Sequence, residues 1–320
     1  MPPFARFVLR RTGIGVLQLG ILLALVFGLS LLMPGDAADV QSNDVLGEDQ
    51  RAVARELLGL DVAPVRRFLT WLGNAATGDF GTSYASGARV SDLVAGPLRT
   101  SAVLAVLALA VLVPVVVVAG FAAGLHPGSR RDRAITTVSI GFDSVPDFVL
   151  AVLLVSYVAI DLDLLPATFL GADADTVLRH PEYLVLPLIV IVARVAAPLV
   201  RLVRAGVIDV LHEPYIAQAR RLGVGRLSLL ARHIAPNALA PAMQELGRTG
   251  DGLLSGVLIV EAVFVVPGLA SELIGAIGNR DEPVVLAIVA ITGTAAIVLN
   301  LVIDVLGERM VPRSAEGRRG

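Results

Sequence analysis

Long uncharged or nearly uncharged apolar runs alternate with polar, Arg-bearing stretches along this chain. A bilayer core of about 30 Å takes about 20 apolar residues in a helix. Six stretches meet that length: Ile14–Met33, Ser101–Leu125, about Ile135–Ile160, about Tyr183–Val203, about Gly252–Leu269 and Val284–Ile303. The pattern therefore predicts an all-α, polytopic integral membrane protein with about six transmembrane helices. The third stretch contains Asp143 and Asp147, the fourth Arg194 and Arg201, the fifth Glu261, and Asp304 closes the sixth. The first run is too long for the 7–15 apolar residues of a signal peptide, so it is expected to stay as a span.

Between the first and second spans lies a long external segment. Glu48–Leu58 has helical apolar spacing with Gly59 as its stop, Pro64 opens a second short helix through Trp71 and Leu72, and Gly73–Gly87 reads as loop. Two small-residue pairs, Gly120–Gly124 and Gly252–Gly256, have the GxxxG spacing that lets helices approach closely. Their expected meaning is packing within the bundle.

Composition agrees with lipid as the solvent. Of 320 residues, 55% are hydrophobic and only 17% charged, with mean hydropathy +0.78, against about 25% charged in soluble domains. All 26 cationic residues are Arg, so a phosphate loop of the Walker A type, which needs Lys, is absent. With no Cys, disulfides and thiolate chemistry are excluded. His126, His180, His212 and His233 are scattered and are expected at surfaces or caps rather than on a metal. Neither G-x-S-x-G nor H-E-x-x-H occurs, and nothing supports nucleic-acid binding.

Arg placement sets an orientation. Arg6, Arg10 and Arg11 precede the first span; Arg130, Arg131 and Arg133 follow the second; Arg204, Arg220, Arg221, Arg226, Arg232 and Arg248 follow the fourth. Both termini are then expected on the cytoplasmic side. The 34–97 segment also carries Arg, but the rule weakens for long loops.

The fourth-to-fifth connection, 204–248, carries the sharpest signal. Pro214 suits a first helical position, residues through Leu222 form a short helix, and Gly223 and Gly225 stop it. Tyr215, Ala219 and Leu222 are expected on one face, with Gln218 and Arg221 on another. A second helix is expected over Arg226–Ala235, ended by Pro236. A short amphipathic helix between two stops has the shape of a knob for a partner's groove.

The run Tyr215–Gly223, followed by Arg232-His233-Ile234-Ala235-Pro236-Asn237-Ala238-Leu239-Ala240-Pro241, resembles the "EAA" loop of ABC importer permeases. Ala217, Gln218 and Ala219 stand at the EAA positions, Gly223 at the Gly and Pro236 at the Pro. The Glu is missing, Gln218 replaces the first Ala, and His233 and Ala235 replace Ile and Leu. These departures resemble the dipeptide/oligopeptide/nickel branch. So do Met33–Asp36, Leu58–Asp61 with Pro64, Arg67 and Trp71, Gly78–Ser83, Ser144–Pro146 with Phe148, Glu261–Phe264 with Pro267–Leu269, Asn279–Asp281 with Pro283, Asn300 with Asp304, and Pro312–Arg313. The chain is similar to the B-type permease of that branch, whose C-type partner usually lacks the external segment.

The resemblance implies a type I ABC importer permease fold. Residues 1–97 would form the cytoplasmic tip, first helix and external segment, 98–313 the permease domain, and 314–320 a cytoplasmic tail. It implies a multi-pass protein of the bacterial plasma membrane that forms, with a C-type permease, the path for di- or oligopeptides or a related small solute. Two ATPase domains and an extracytoplasmic solute-binding protein would complete the assembly. ATP and Mg would be bound by the ATPases and no cofactor by this chain, which would not itself be an enzyme. Ala217, Gln218, Ala219, Arg221, Gly223 and Pro236 would meet the ATPase. Asp147, Arg194, Glu261 and Asp304, ionisable groups in spans, are candidates for the path or its gating. Arg194 is expected to line the path or to pair with Asp147 or Asp143, and Arg201 to snorkel to the cytoplasmic face. The alternative is an ion-coupled secondary transporter, which would show inverted repeats or broken helices at corresponding places; neither is visible in the sequence.

Overall fold

A computed structural model of the chain describes the backbone of residues 3–42, 48–169 and 179–310. Pro312, Arg313 and the tail 314–320 lie outside the described residues, as do the side chains of 247–255, including Arg248 and Gly252. Among the described residues every regular element is a helix. Four helices are long and apolar enough to cross a membrane: α1 (Pro3–Leu32), α5 (Val90–Gly124), α8 (Glu182–Leu211) and α13 (Glu282–Met310). Two bent pairs raise the number to six if each pair is one span. The chain is thus the expected all-α polytopic protein.

The two bent pairs correct the sequence reading of the third and fifth spans as single rods. The third is α6 (Arg130–Ser144) and α7 (Asp147–Leu154), the latter continued by a π-helical Val155–Asp161, with a bend of 103° between them. Pro146 explains the break: it has no N–H, and its ring holds Val145 extended at φ −102°, ψ 125°. The fifth begins much earlier than expected, as α11 (Ala235–Phe264), and stops where Val265 takes φ +55° ahead of Pro267. A separate helix, α12 (Leu269–Gly278), follows.

The chain divides into two compact units. One holds the described residues through Ala102 and Val265–Ile297; the other holds Val103–Phe169, 179–264 and 298–310. In the first, the short helices α2 (Ala37–Ser42), α3 (Glu48–Leu57) and α4 (Pro64–Ala75) form the segment after α1. Both expected helices are there, and Gly59 supplies the stop with φ +67°. The loop starts later than Gly73, because α4 continues to Ala75. Leu23, Phe27 and Leu286 make a buried cluster that Phe68, Trp71 and Leu72 of α4 cover. Close approach of α1 and α13 depends on two glycines. A Cβ at Gly15 would lie 2.8 Å from Ile297 Cγ2, and one at Gly293 would lie 2.6 Å from Leu19 Cδ1.

In the second unit α8 is the central rod. Val190, Ile191, Val203 and Val207 of α8 are buried, as are Leu104, Ala108 and Leu112 of α5 and Ala238, Val260 and Phe264 of α11. Gly120 and Gly124 let α5 press on α8: added Cβ atoms would lie 2.5 Å from Val203 Cγ1 and 2.7 Å from Val207 Cβ. The other GxxxG pair does not share this role at Gly256, whose added Cβ would meet only Ile191 Cγ2 at 3.9 Å.

Candidate functional site

The expected 204–248 loop narrows to residues 212–234, because α8 and α11 extend into it from both sides, and what remains is built as a short peg. Helix α8 ends at Leu211, His212 caps it, and Glu213 turns extended (φ −67°, ψ 136°). Pro214 then opens α9 (Pro214–Arg221), its fixed φ suiting a first helical position. At the far end Gly223 N–H donates to Arg220 O (3.1 Å) and Val224 N–H to Ala219 O (3.1 Å), with Gly223 at φ +76°. This is a Schellman ending, which needs a residue free to be left-handed.

One side chain of α9 anchors it. Ile216 is fully buried, a residue that the sequence reading left off the apolar face. Leu222, expected on that face, is instead 74% exposed. Ala217, Gln218, Arg220 and Arg221 are exposed and Ala219 half-buried, so the outward surface is small, polar and cationic with Leu222 beside it. Leu227 across the turn is 80% exposed.

After Gly225 the chain forms α10 (Arg226–Leu229), a π segment Leu230–Ile234, and then α11. Pro236 therefore does not end a helix; it sits in the first turn of α11. The Ala235 N–H reaches back to Leu230 O in the wider π pattern, which relieves the clash a proline ring makes with the carbonyl four residues before it. Asn237 ties this turn to the peg, its Nδ2 donating to Tyr215 Oη (3.2 Å) and His233 O (2.8 Å). Burial and the Glu213 carboxylate raise the Tyr215 phenol above its ordinary range, so it stays neutral. Behind the peg, Gly206 of α8 lies against Ala238 of α11, where an added Cβ would be 2.5 Å from Ala238 O.

The second feature is a seam of ion pairs between α6–α7 and α8. Arg204 grips Asp132 with Nε and with Nη2 (2.9 Å), Arg201 Nη2 meets Asp143 (2.7 Å), and Arg194 Nη1 meets Asp147 (3.1 Å). Along the seam the acids rise in number from 132 to 147 as the arginines fall from 204 to 194. Asp132 also accepts from Gly128 N–H (2.8 Å) and Thr136 Oγ1 (3.3 Å), while Ser129 caps α6 by accepting from Asp132 N–H (3.2 Å). Arg201, expected to snorkel, pairs with Asp143 and stays 39% exposed. The Asp132–Arg204 pair is nearly buried on the acid side, whereas the Arg194 side chain is 52% exposed. Of the remaining candidates, Glu261 is fully buried on α11 and Asp304 half-buried on α13. No group of side chains suited to a metal ion occurs among the described residues.

In the first unit the motifs of the external segment meet one another. Asp281, buried, accepts from Ser83 Oγ and from the N–H groups of Tyr84 (3.0 Å) and Ala85 (3.3 Å). Glu282 takes a two-pronged grip from Arg67 (3.1 and 2.9 Å), whose guanidinium carbon also lies 5.5 Å from the Phe27 ring centroid. Trp71 Nε1 donates to Phe80 O (3.2 Å).

Residues 116–316 match the family model described as binding-protein-dependent transport system inner membrane component. The chain belongs to this family. It is 32% identical over 286 residues to the glutathione transport system permease protein GsiC of Escherichia coli (strain K12), covering 89% of this chain and 91% of that protein. To the probable peptide ABC transporter permease protein y4tP of Sinorhizobium fredii (strain NBRC 101917 / NGR234) it is 30% identical over 308 residues, covering 96% and 98%. A family member with several apolar helices is a multi-pass bacterial membrane protein, and the family's role is transport.

Proposed function

We propose that this chain is one membrane subunit of an ATP-driven importer for peptides or related small solutes such as glutathione, with α9 as the contact to a separate cytoplasmic ATPase. The observation that carries the reading is the peg itself: a short helix anchored by Ile216 and Asn237, closed by Gly223, and exposing Ala217, Gln218, Arg221 and Leu222. A rigid exposed helix with small residues at its centre can enter a groove closely and transmit displacement. The relatives' names supply the solute class. In this reading both termini are cytoplasmic, residues 98–313 work as the permease domain, and a second, C-type permease completes the path. The extracytoplasmic binding protein delivers the solute, and ATP and Mg sit on the ATPases.

The exposed part of the seam belongs to the path. Ionised groups at membrane depth are costly against hydrocarbon and face water or protein instead. Arg194–Asp147 and Arg201–Asp143 then form a polar wall, spaced on α8 by about 10 Å for seven residues. Glu261 and Asp304 take supporting or gating roles near their span ends.

Replacing Gly223 with Pro, or Ala219 with Trp, tests the docking role in the reconstituted transporter. Proline cannot take φ +76° and has no N–H for Arg220 O. ATP hydrolysis is expected to lose its dependence on solute and uptake to fall, with the permease still in the membrane. Normal uptake in both variants would overturn the docking role.

A further inference from the structure

Helix α4 of the first unit divides around its axis into three sectors. Phe68, Trp71 and Leu72 pack on the cluster of Leu23 and Phe27 from α1 and Leu286 from α13. Arg66, Thr70 and Asn74, spaced at i, i+4 and i+8, make an exposed polar ridge. Between these two sectors stand Val65 and Leu69, 71% and 59% exposed and one turn apart on a single face. Large apolar side chains left open together on one face mark a contact surface.

The neighbours of α4 fix its level in the membrane. At 1.5 Å per residue, Phe27 lies about 8 Å and Leu23 about 14 Å along α1 before Leu32, where the apolar run ends. Arg11 bounds that run towards the N-terminus, and the roughly 20 residues needed to cross hydrocarbon reach from there to about Leu32. The side of α4 that rests on the cluster is therefore below the head groups. Arg67 reaches the other way. Its guanidinium grips Glu282, the first residue of α13, and Ser30 Oγ near the end of α1 donates to the same carboxylate (3.3 Å). Helix α4 thus follows the boundary, with its ion pair at head-group level and its aromatic rings beneath. Trp71, which donates from Nε1 to Phe80 O, has the amphipathic ring that gathers at that boundary.

We infer that α4 is an interfacial helix whose Val65–Leu69 face is covered by phospholipid acyl chains, with Arg66 and Thr70 among the head groups. The leaflet is the outer one in the orientation proposed above. A water-soluble partner would have to reach below the head groups to cover this face, where acyl chains already lie. Apolar residues on one side and Arg on the other are the pattern by which short helices lie in a membrane surface. The segment after α1 is then held by the bilayer as well as by α1 and α13. This contact requires only that the chain is embedded, whatever α9 docks with.

The test uses the full-length chain in vesicles of phosphatidylethanolamine and phosphatidylglycerol. The chain has no cysteine, so Val65→Cys, Leu69→Cys, Arg66→Cys and Thr70→Cys each give one site for a nitroxide. Oxygen concentrates in hydrocarbon and a nickel chelate stays in water. The ratio of oxygen to nickel accessibility should be several-fold higher at 65 and 69 than at 66 and 70. Equal ratios at the four positions would overturn the inference. Labels at 65 and 69 shielded from both reagents would overturn it too, because protein would then cover the face. Trp71 is the single tryptophan of the chain and reports on the natural protein even where a cysteine variant does not fold. Its fluorescence should fall more with phospholipid brominated near the head-group end of the acyl chains than with phospholipid brominated near the methyl end. No quenching by either lipid, or stronger quenching by the deeper bromines, would overturn the assignment.

Discussion

Replacing Gly206 by alanine tests whether the position of the peg is set from behind. The new Cβ would lie 2.5 Å from Ala238 O, 3.1 Å from Ala238 Cα and 3.2 Å from its carbonyl carbon. All three are main-chain atoms, so no rotamer change relieves the overlap, and α8 must part from the start of α11. Overpacking of this kind costs typically about 1–3 kcal/mol. The gain in helix propensity from Gly to Ala, roughly 0.5–1 kcal/mol, offsets only part of that. A net penalty of about 1–2 kcal/mol corresponds to a factor of roughly 5–30 in the ratio of the native arrangement to its alternatives. Ala238 follows Asn237, whose amide holds Tyr215 of α9, so the displacement is delivered to the peg. Solute uptake in proteoliposomes containing the whole transporter should fall, and the permease should melt at a lower temperature. Gly20→Ala is the control, because a Cβ there meets nothing within 4 Å. Full uptake and an unchanged melting temperature for Gly206→Ala would refute the reasoning.

Asp132→Asn removes the two-pronged, charged partner of the Arg204 guanidinium; with that guanidinium partly open to water, a loss of about 1–3 kcal/mol is expected, read as a fall in melting temperature of the purified chain. Gly120→Ala should lower that temperature, whereas Gly256→Ala should not, since only the first sets a Cβ within 3 Å of a neighbour. Burial, with Glu282 and Asp281 nearby, pushes the Tyr84 phenol up to about 12. Its neutral form is thus favoured in the folded protein, a contribution fully present below about pH 10 and lost as pH rises through about 12. An absorbance titration should show a phenol titrating at about 12 that Tyr84→Phe removes.

Four of the spans were legible because lipid demands length and apolarity, which composition displays directly; the bent third and fifth were legible only as apolar stretches. The peg was legible at its ends, where Pro214 and Gly223 carry strong local preferences, but not at its anchor. Ile216 is buried by α9's docking against the rest of the second unit, which helical periodicity over eight residues cannot assign. Pro146 belongs to a family-like motif, and the extended bias it places on Val145 is the local sign of the bend. The S-x-x-D spacing of Ser129 and Asp132 is a readable cap signal for α6. Asp132–Arg204 as a pair was not readable, since 72 residues separate the partners. The external motifs were recognisable one by one, yet only the fold shows why they go together: Asp281 binds Ser83 and the two N–H groups after it, and Glu282 holds Arg67.

The chain has no cysteine, so Gln218→Cys places a single thiol on the exposed face of α9. Labelling with a membrane-impermeant maleimide is expected in inside-out vesicles and not in intact cells, and bound ATPase subunit should protect the thiol. A thiol labelled from the outside, or left unprotected by the ATPase, would contradict the assignment of α9 as the cytoplasmic contact.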